Sequence, residues 1–445
     1  MATAAPPSRT APYQSVDVVE VRAWGRRVGA VAREPTKNFY AFQYDPAWVR
    51  TGIELAPLTM PLAQASEPFI FTELPEPTYK RLPALLADAL PDDFGNALID
   101  AWMADRGMAK AAVTSLDRLA YMGQRGMGAL SFGPMRGPRP SKATAIQMGQ
   151  LVQAARLAVQ GDFDGEDHVH TALKQIIQVG TSAGGARAKA TIAWNPDTDE
   201  VRTGQFNIPE GFEAWLLKFD GIGKDNDLGP SKGYGRIEYA YHLMAVEAGI
   251  DMSPCRLLEE NGRAHFMTRR FDRDGDQRHH MQTLCAMAHL DFKQVATHSY
   301  NQLFQTANAL QLGQQALVEL LRRMVFNVLA VNNDDHSKNF SFLLRQGEPW
   351  ALAPAYDITH AFNPDNVWVK QHLMSVNGRF DRISRLDVRT VAERFGLLAE
   401  LPEVVRQVQA ATAQWPGFAT HAGVDRTEAE TIAGHIADRA QQFGA

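Results

Sequence analysis

Cysteine is nearly absent from this sequence: only Cys255 and Cys285 occur among 445 residues. Two cysteines are too few for a disulfide framework, and neither has metal-ligand spacing around it. The sequence also has no continuous run of apolar residues long enough to span a membrane, and its N-terminus lacks the apolar stretch of a signal peptide. These absences predict a soluble protein of the reducing cytoplasm.

An excess of basic residues is absent as well. Lys and Arg number 45 against 50 Asp and Glu, which gives a formal net charge of −5. The protein as a whole therefore does not attract nucleic acid through its overall field, although a local basic patch is still possible. Hydrophobic residues make up 45% of the chain and charged residues 21%, as in ordinary globular proteins, and the length predicts two or three domains.

The most informative stretch runs from Asn332 to Phe342 and reads NNDDHSKNFSF, and AYDIT follows a short way downstream. It supplies Asp334, then Asn339 five residues later, then Asp357 after an apolar hairpin. This is the order of parts in a phosphotransferase that uses Mg·ATP. One carboxylate deprotonates the incoming hydroxyl, while an amide oxygen and a second carboxylate hold magnesium.

Asp334 and Asp335 are adjacent, so both cannot face the same cleft. We favour Asp334 as the base because of the five-residue step to Asn339. Between Asp334 and Asn339 lie His336 and Lys338, which could steady the transferring phosphoryl group. An Asx-rich turn that caps the preceding helix would use the same residues, but it would not explain Asp357.

Two upstream features fit the same chemistry. Lys218 lies in the apolar strand WLLKFD, where an ammonium group is costly unless it meets an anion. An ATP phosphate and Glu238 could be its partners, but a lysine that reaches solvent from an edge strand is the alternative. The loop from Gly180 to Ala190 contains three glycines and Lys189, and it could cradle a phosphate or simply turn the chain.

The rest of the chain divides by pattern. We predict a flexible tail at 1–14, an N-terminal subdomain at 15–134, an exposed linker at 135–142, a β-rich lobe at 143–268 and a helical lobe at 269–445. Asn261-Gly262 predicts a hairpin turn. After Arg273 we expect helices, apart from a hairpin near 340–352. The predicted fold class is α+β, with the two lobes of a protein kinase and an extra N-terminal subdomain.

Two polar segments are interpreted as plain surface. DRDGDQ (272–277) lacks the glutamate of a calcium loop and is expected to be a solvated turn. His279 and His280 have no second ligand set, so we expect them at the surface.

The combined motifs TSAGGARAKA, WLLKFD, TRRFDR, NNDDHSKNFSF and AYDIT resemble the HipA family of serine/threonine kinase toxins of bacterial toxin–antitoxin modules. The N-terminal segments VRAWGRRVGAVAREPTKNFYAFQYDPAWV and ALLADALPDD resemble the same family. The resemblance covers nearly the whole chain.

The resemblance implies ATP and Mg²⁺ as cofactors, with Asp334 as the base and Asn339 and Asp357 as the metal ligands. It implies a second set of residues around the nucleotide: Gly184, Gly185, Ala186, Arg187, Lys189, Lys218, Arg269, Arg270, Phe271, His336 and Tyr356. Ser182, or its neighbour Thr181, corresponds to the site of inactivating autophosphorylation. The loop here reads Gly185-Ala186-Arg187-Ala188-Lys189, which lacks the acidic residue of the best-known family pattern.

The resemblance further implies an aminoacyl-tRNA synthetase as the protein substrate. It also implies a small helix-turn-helix antitoxin through which operator DNA is contacted. Two other functions are compatible with the residues. A phosphoinositide-kinase-like lipid kinase would share Asp334, His336 and Asn339, and a non-catalytic corepressor would use the same fold only for binding.

Overall fold

The computed structural model describes residues 12–138, 149, 151–152, 155, 187–205, 208–223 and 233–444. The chain is already anchored at Tyr13, whose amide N–H donates to Arg106 O at 3.2 Å and whose ring packs against Trp102. The predicted loose tail is therefore too long at its C-terminal end. No helix within these ranges is long and apolar enough to cross a bilayer.

The N-terminal subdomain begins with an antiparallel sheet in the order β3-β2-β1-β4. Its strands are β1 (Val18–Ala23), β2 (Arg26–Glu34), β3 (Phe39–Tyr44) and β4 (Leu130–Gly133). Fully buried and partly buried residues alternate along β3, so one face of the sheet is more deeply buried than the other. Trp24 and Gly25 turn the chain between β1 and β2 with positive φ angles of 49° and 74°.

Helices lie between β3 and β4 in the chain. They are α1 (Pro46–Val49), α2 (Glu76–Tyr79), α3 (Ala84–Ala87), α4 (Asp93–Ala104) and α5 (Ser115–Met122). The first and last of them, α1 and α5, pack on this sheet. Thr114 and Asp117 form a capping box at the start of α5, which satisfies backbone N–H groups that no helical bond can reach. Asp117 also accepts a hydrogen bond from Val16 N at 3.1 Å, so it fixes the approach to β1.

A second antiparallel sheet, in the order β6-β5-β7-β9-β8, forms the β-rich lobe. Its strands are β5 (Arg187–Trp194), β6 (Val201–Thr203), β7 (Glu213–Gly223), β8 (Cys255–Glu260) and β9 (Arg263–Arg269). The predicted turn at Asn261-Gly262 joins β8 to β9, and both residues have positive φ angles. Helix α6 (Tyr234–Glu247) crosses β9 at Gly235, where an added Cβ would lie only 2.1 Å from Ala264 O.

The C-terminal part is mainly helical. Its helices are α7 (Leu284–Met287), α8 (Tyr300–Ala309), α9 (Gly313–Leu329), α10 (Arg385–Arg394), α11 (Leu401–Ala413), α12 (Trp415–Ala422) and α13 (Arg426–Gly444). Helix α6 shares their hydrophobic core through residues such as Tyr241 and Met244, although it lies within the range predicted for the β-rich lobe. The helix thus connects the two lobes.

The helical lobe holds more strands than predicted. The expected hairpin is present as β14 (Ser341–Leu344) and β15 (Trp350–Leu352). Five further short strands are β10 (Arg273–Asp274), β11 (Gln277–Arg278), β12 (His280–Thr283), β13 (His298–Ser299) and β16 (Met374–Ser375). Strand β12 extends the hairpin to three strands, β10 pairs with β11, and β13 pairs with β16 in parallel. Strands of two to four residues are too short for a periodic signal in sequence.

Buried charge joins the N-terminal subdomain to the segment that follows β9. Of the solvated turn predicted at 272–277, residues 274–277 are exposed as expected, but Asp272 is buried. Asp272 is fully buried and accepts both Arg270 and Arg273, while Gly128 N donates to it at 2.7 Å. Arg273 and Arg278 in turn donate to the carbonyl oxygens of Gly126 and Gly128. The guanidinium groups hold the pKa of Asp272 well below its usual range, despite the opposing effect of burial.

His279 and His280 are also buried, contrary to the sequence prediction. The Nε2 atom of His280 lies 3.0 Å from Leu55 O, and its ring packs edge-on against Trp350. Burial lowers the pKa of His280 to about 4, so its ring is neutral at physiological pH. His280 is thus a core residue that connects the N-terminal subdomain to the three-stranded sheet.

We predict that Asp272→Ala destabilises the protein by about 3–5 kcal/mol, because it leaves two buried guanidinium groups without a counter-ion. Asp276 lies in the same turn but is exposed, so Asp276→Ala should cost no more than about 0.5 kcal/mol. Chemical denaturation of both variants measures the difference. Equal stabilities would contradict a structural role for the Asp272 cluster.

Candidate active site

A cleft of about 420 Å³ lies between the β-rich and helical lobes, and the N-terminal subdomain forms one of its walls. Twelve of the residues predicted from sequence line it together: Lys189, Lys218, Glu238, Arg269, Arg270, Phe271, Asp334, His336, Lys338, Asn339, Tyr356 and Asp357. Their chemical roles stay predictions. The remaining predicted residues, Thr181, Ser182, Gly184, Gly185 and Ala186, and the side chain of Arg187, lie outside the described residues.

Lys218 is the central cation of the cleft. It projects from β7, its side chain is 7% exposed, and its ammonium group bonds both Glu238 of α6 and Asp357. Burial alone would lower the pKa of Lys218, but the two carboxylates outweigh that effect and raise it. Lys218 is therefore not a surface lysine that reaches solvent, and the alternative interpretation from sequence is wrong.

Lys189 lies beside Lys218 because the two residues are direct cross-strand partners of β5 and β7. Its Nζ atom is 3.8 Å from Asp357 Oδ2. Burial lowers the pKa of Lys189, with Asp357 opposing the change and the neighbouring charge of Lys218 adding to it. The two lysines in turn hold the pKa of Asp357 well below its usual range, although burial acts in the other direction. With Glu238 on Lys218, the cluster holds two ammonium groups and two carboxylates.

Asp334 and Asp335 point in different directions, as their adjacency requires. The Asp334 side chain is 43% exposed and faces the cleft, with its Oδ1 atom 3.8 Å from His336 Nε2. The Asp335 side chain is fully buried and does not line the cleft. Desolvation at the base of the cleft raises the pKa of Asp334, which His336 opposes and the charges of Asp357 and Asp335 reinforce. Such a carboxylate is a better proton acceptor than an ordinary aspartate.

Asn339 ends a short 3-10 turn, Ser337–Asn339, and its side chain donates to Asp334 O at 2.7 Å. That bond leaves the amide oxygen of Asn339 available. Tyr356 donates to Lys338 O at 2.7 Å, which ties the start of the AYDIT segment to the same turn. Asp357 follows with a positive φ of 54°, a conformation uncommon for a residue other than glycine.

His336 and Lys338 both lie against Phe292. The His336 and Phe292 rings are 5.3 Å apart, and Lys338 Nζ is 4.9 Å from the Phe292 ring centroid. The aromatic side chain of Phe292 thus holds both residues at the cleft, which it also lines. Phe292 was not identified from the sequence, because nothing in its local pattern distinguishes it from a core residue.

The predicted hinge is only partly as expected. Arg269–Phe271 line the cleft where β9 ends, and Arg270 N donates to Ala214 O at 2.9 Å. Arg270, however, is only 4% exposed, and its guanidinium group donates two hydrogen bonds to Asp272. Its side chain therefore supports the hinge, and the nucleotide-binding role of Arg269–Phe271 stays a prediction.

Sequence reasoning also missed the wall from the N-terminal subdomain, which includes Asp88, Asp92 and Asp93. Asp88 accepts two hydrogen bonds from Thr283, whereas Asp92 caps α4 through Gly95 N at 2.8 Å. The second oxygen of Asp92 is buried with no hydrogen-bond partner among the described residues. The segment ALPDD has only the pattern of a helix start, so nothing in it pointed to a cleft.

The residues fit a magnesium nucleotide. Two lysine ammonium groups suit phosphate oxygens, and the carboxylate of Asp357 and the amide oxygen of Asn339 are ligands that Mg²⁺ prefers. No group of three or more His, Cys, Asp and Glu side chains at metal distance occurs in the part of the chain that the structure describes. A magnesium ion here would thus depend on the phosphates for part of its coordination, as is usual for this metal.

Family models match both parts of the chain. The HipA N-terminal domain matches residues 19–133, and the HipA-like C-terminal domain matches residues 181–442. The chain belongs to the HipA family. No curated protein matches the sequence.

Solved structures give the fold. HipA of the Shewanella oneidensis MR-1 toxin–antitoxin system, in complex with HipB and operator DNA, superposes with a TM-score of 0.65 at 16% identity and covers 95% of this chain and 96% of that one. The Helicobacter pylori proinflammatory kinase CtkA gives a TM-score of 0.35 at 12% identity over 54% of this chain and 90% of its own. The predicted two-lobed HipA-like fold with its extra N-terminal subdomain is confirmed.

Asp92 generates a pH-dependent prediction. Burial raises its pKa to about 7, against 3.8 for an ordinary aspartate, although Lys189 and Lys338 oppose the change. The stability that this group contributes is present below pH 3.8 and is lost as pH rises through about 7, because the folded state must then hold the ionised form. The free energy of unfolding gained by Asp92→Asn over wild type should therefore be larger at pH 8.5 than at pH 5.5. The difference should be about 1–4 kcal/mol, at about 1.4 kcal/mol per pKa unit.

Thermal denaturation at the two pH values measures this effect. Asp17→Asn is the control, since Asp17 is exposed and far from the cleft. A wild-type protein and an Asp92→Asn variant with parallel pH profiles would show that Asp92 titrates as an ordinary carboxylate.

Proposed function

We propose that this HipA-family protein is an ATP-dependent serine/threonine protein kinase. The observation that carries the proposal is the juxtaposition of a half-exposed Asp334 with a buried Lys218 that joins Glu238 to Asp357. A buried lysine paired to a helix glutamate, and a separate carboxylate with a raised pKa, are the two halves that phosphoryl transfer needs.

In this proposal the hydroxyl oxygen of a serine or threonine attacks the γ-phosphorus of ATP in line with the bond to ADP. The new P–O bond forms as the old one breaks, and the hydroxyl proton passes to Asp334. Lys218 and Lys189 bind phosphate oxygens, and Glu238 keeps Lys218 oriented when the phosphates replace Asp357 as its partner. His336 and Lys338 add positive charge near the transferring group.

Asn339 and Asp357 would hold Mg²⁺, which neutralises phosphate charge when it is bound. The chain's own contribution is to keep both ligands at one end of the β14–β15 hairpin. Asn339 is fixed through Asp334 O, and Asp357 is fixed by the two lysines.

We further propose that the kinase is the toxin of a toxin–antitoxin module and that it silences itself by autophosphorylation at Ser182 or Thr181. A phosphate there would add about −1.5 to −2 charges beside a site built for another phosphate. The resemblance to the Shewanella HipA complex supports a HipB-like helix-turn-helix antitoxin as partner, with operator DNA contacted through it. An aminoacyl-tRNA synthetase is the proposed substrate by family resemblance.

The test is Asp334→Gln, which should abolish phosphoryl transfer and leave ATP affinity within about tenfold of wild type, because a catalytic group is lost and a binding group is not. Purified wild type and variant are incubated with Mg·ATP and analysed by intact-mass and peptide mass spectrometry. Asp365→Asn, an exposed carboxylate of the same lobe, is the matched control and should keep full activity.

A phosphate on Ser182 or Thr181 in wild type alone would support the proposal. An unphosphorylated wild type that binds ATP and whose starting mass is unmodified would instead favour a non-catalytic corepressor. Phosphorylation of a lipid but not of a peptide would favour the lipid kinase.

Asp357→Asn should weaken both transfer and Mg·ATP binding, because it removes charge from the metal site. Titration of transfer against Mg²⁺ should show a shift of at least about tenfold to higher concentration. Full activity at the wild-type Mg²⁺ requirement would make the assignment of Asp357 as a metal ligand wrong.

A further inference from the structure

Asp335, the neighbour of the proposed base, is a heavily bonded carboxylate that lies behind the cleft. It is fully buried, and it accepts hydrogen bonds from Tyr300 Oη at 2.8 Å, His372 Nδ1 at 2.9 Å and Leu373 N at 2.7 Å, with Met374 N at 3.4 Å. A buried carboxylate is costly unless its lone pairs are filled, and here they are. The mechanism above does not use this group.

The hydrogen bonds around Asp335 continue through Tyr300 to the residues that precede Asp334. Tyr300 Oη accepts from Asn327 of α9 at 2.9 Å, and Asn327 Oδ1 accepts from Asn332 at 2.9 Å. Asn333 donates through its side chain to Val369 O at 2.9 Å. Residues on both sides of Asp334 are therefore fixed, while its own side chain is left to the cleft.

The backbone before Asp334 is held in an unfavourable conformation. Val331 has a φ of 57°, which is rare for a β-branched residue and costs about 1–3 kcal/mol. Val331 O accepts from Ala361 N at 3.1 Å, and Asn333 N donates to Ala361 O at 3.2 Å. Such a conformation persists only where surrounding bonds enforce it. Ala361 supplies bonds on both sides of Asn332, and Asp335 anchors the loop on the far side of Asp334.

We propose that Asp335 is a positioning residue for the reaction: it locks the loop that carries Asp334 to residues 372–374, and so fixes the base relative to the acceptor hydroxyl. This inference rests on the proposed kinase function. Asp335 does not line the cleft itself, so it acts through the loop that carries Asp334. Its loss should therefore misplace the base, and because Asn339 is bonded to Asp334 O, it should shift that residue as well.

The measurement is how each protein divides limiting ATP between two acceptors. The γ-phosphoryl group can go to a protein hydroxyl, which forms a phosphoprotein, or to water, which forms inorganic phosphate. Transfer to the hydroxyl needs a fixed geometry, and a shift of about 1 Å can cost about a hundredfold. Water is mobile and adapts to a displaced base. Unfolded protein makes neither product, so the ratio of the two does not depend on the folded fraction.

We expect Asp335→Asn to lower the ratio of protein-bound to inorganic phosphate at least about tenfold, because its amide would place a donor against the donors that now surround the carboxylate. Tyr300→Phe removes one of these bonds and should lower the ratio less, by about two- to fivefold. Tyr44→Phe is the matched control: Tyr44 is buried and donates one hydrogen bond, to Met60 O at 3.0 Å, in the N-terminal subdomain. Its ratio should equal that of wild type.

The experiment uses the full chain in excess over radiolabelled Mg·ATP, with the chain as its own acceptor. If wild type forms no phosphoprotein, the proposed kinase function fails, whatever Asp335 does. If wild type transfers phosphate and Asp335→Asn keeps its ratio, the positioning role is overturned. Should Asp335→Asn not fold, an unchanged ratio in Tyr300→Phe overturns it instead.

Discussion

The simultaneous contact of Lys218 with Glu238 and Asp357 is the interaction on which the cleft depends. It joins β7 of the β-rich lobe, helix α6 and the segment after β15 at one buried ammonium group. Buried ion pairs contribute little to net stability, because desolvation offsets most of the Coulomb energy. Loss of one partner is nonetheless costly, at about 3–5 kcal/mol. The value of this contact is therefore geometric: the three elements can meet only in the arrangement that the cleft requires.

The N-terminal subdomain belongs to the same arrangement. Its hydrophobic residues form one continuous core with β5 and β7, and the helical lobe has a core of its own. Hydrogen bonds between the N-terminal subdomain and the helical lobe join residues that are far apart in sequence. Examples are Thr78 with Asp291 and Tyr79 with Cys285 O. The carbonyl oxygens of Gly126 and Gly128 accept hydrogen bonds from Arg273 and Arg278, which follow the hinge. A subdomain attached in this way is a wall of the cleft and a support of its hinge.

Local chemistry explains what could be predicted from the sequence. Asp334, Asn339 and Asp357 occur in an order that few other sites need, and Asn261-Gly262 and the β14–β15 hairpin follow from turn preferences within a few residues. The errors share the opposite cause. Asp272, His279 and His280 were expected in solvent because their neighbours in sequence are polar, yet they are buried by residues more than a hundred positions away. Asp92 was missed for the same reason, since its lysine neighbours come from β5 and the loop after α9.

Asp334 and Asp335 show how far environment, and not residue type, decides the role of a carboxylate. The oxygens of Asp335 accept hydrogen bonds from Tyr300, His372 and backbone N–H groups, so the role of this carboxylate is structural. The other is left with a distant histidine and a raised pKa, so it can accept a proton. Val331 and Asp357 both have positive φ angles, and the two loops that carry them meet where Asn332 and Ala361 form a bridge. The same hydrogen bonds therefore hold both loops in one conformation before any substrate binds, as in a preorganised site.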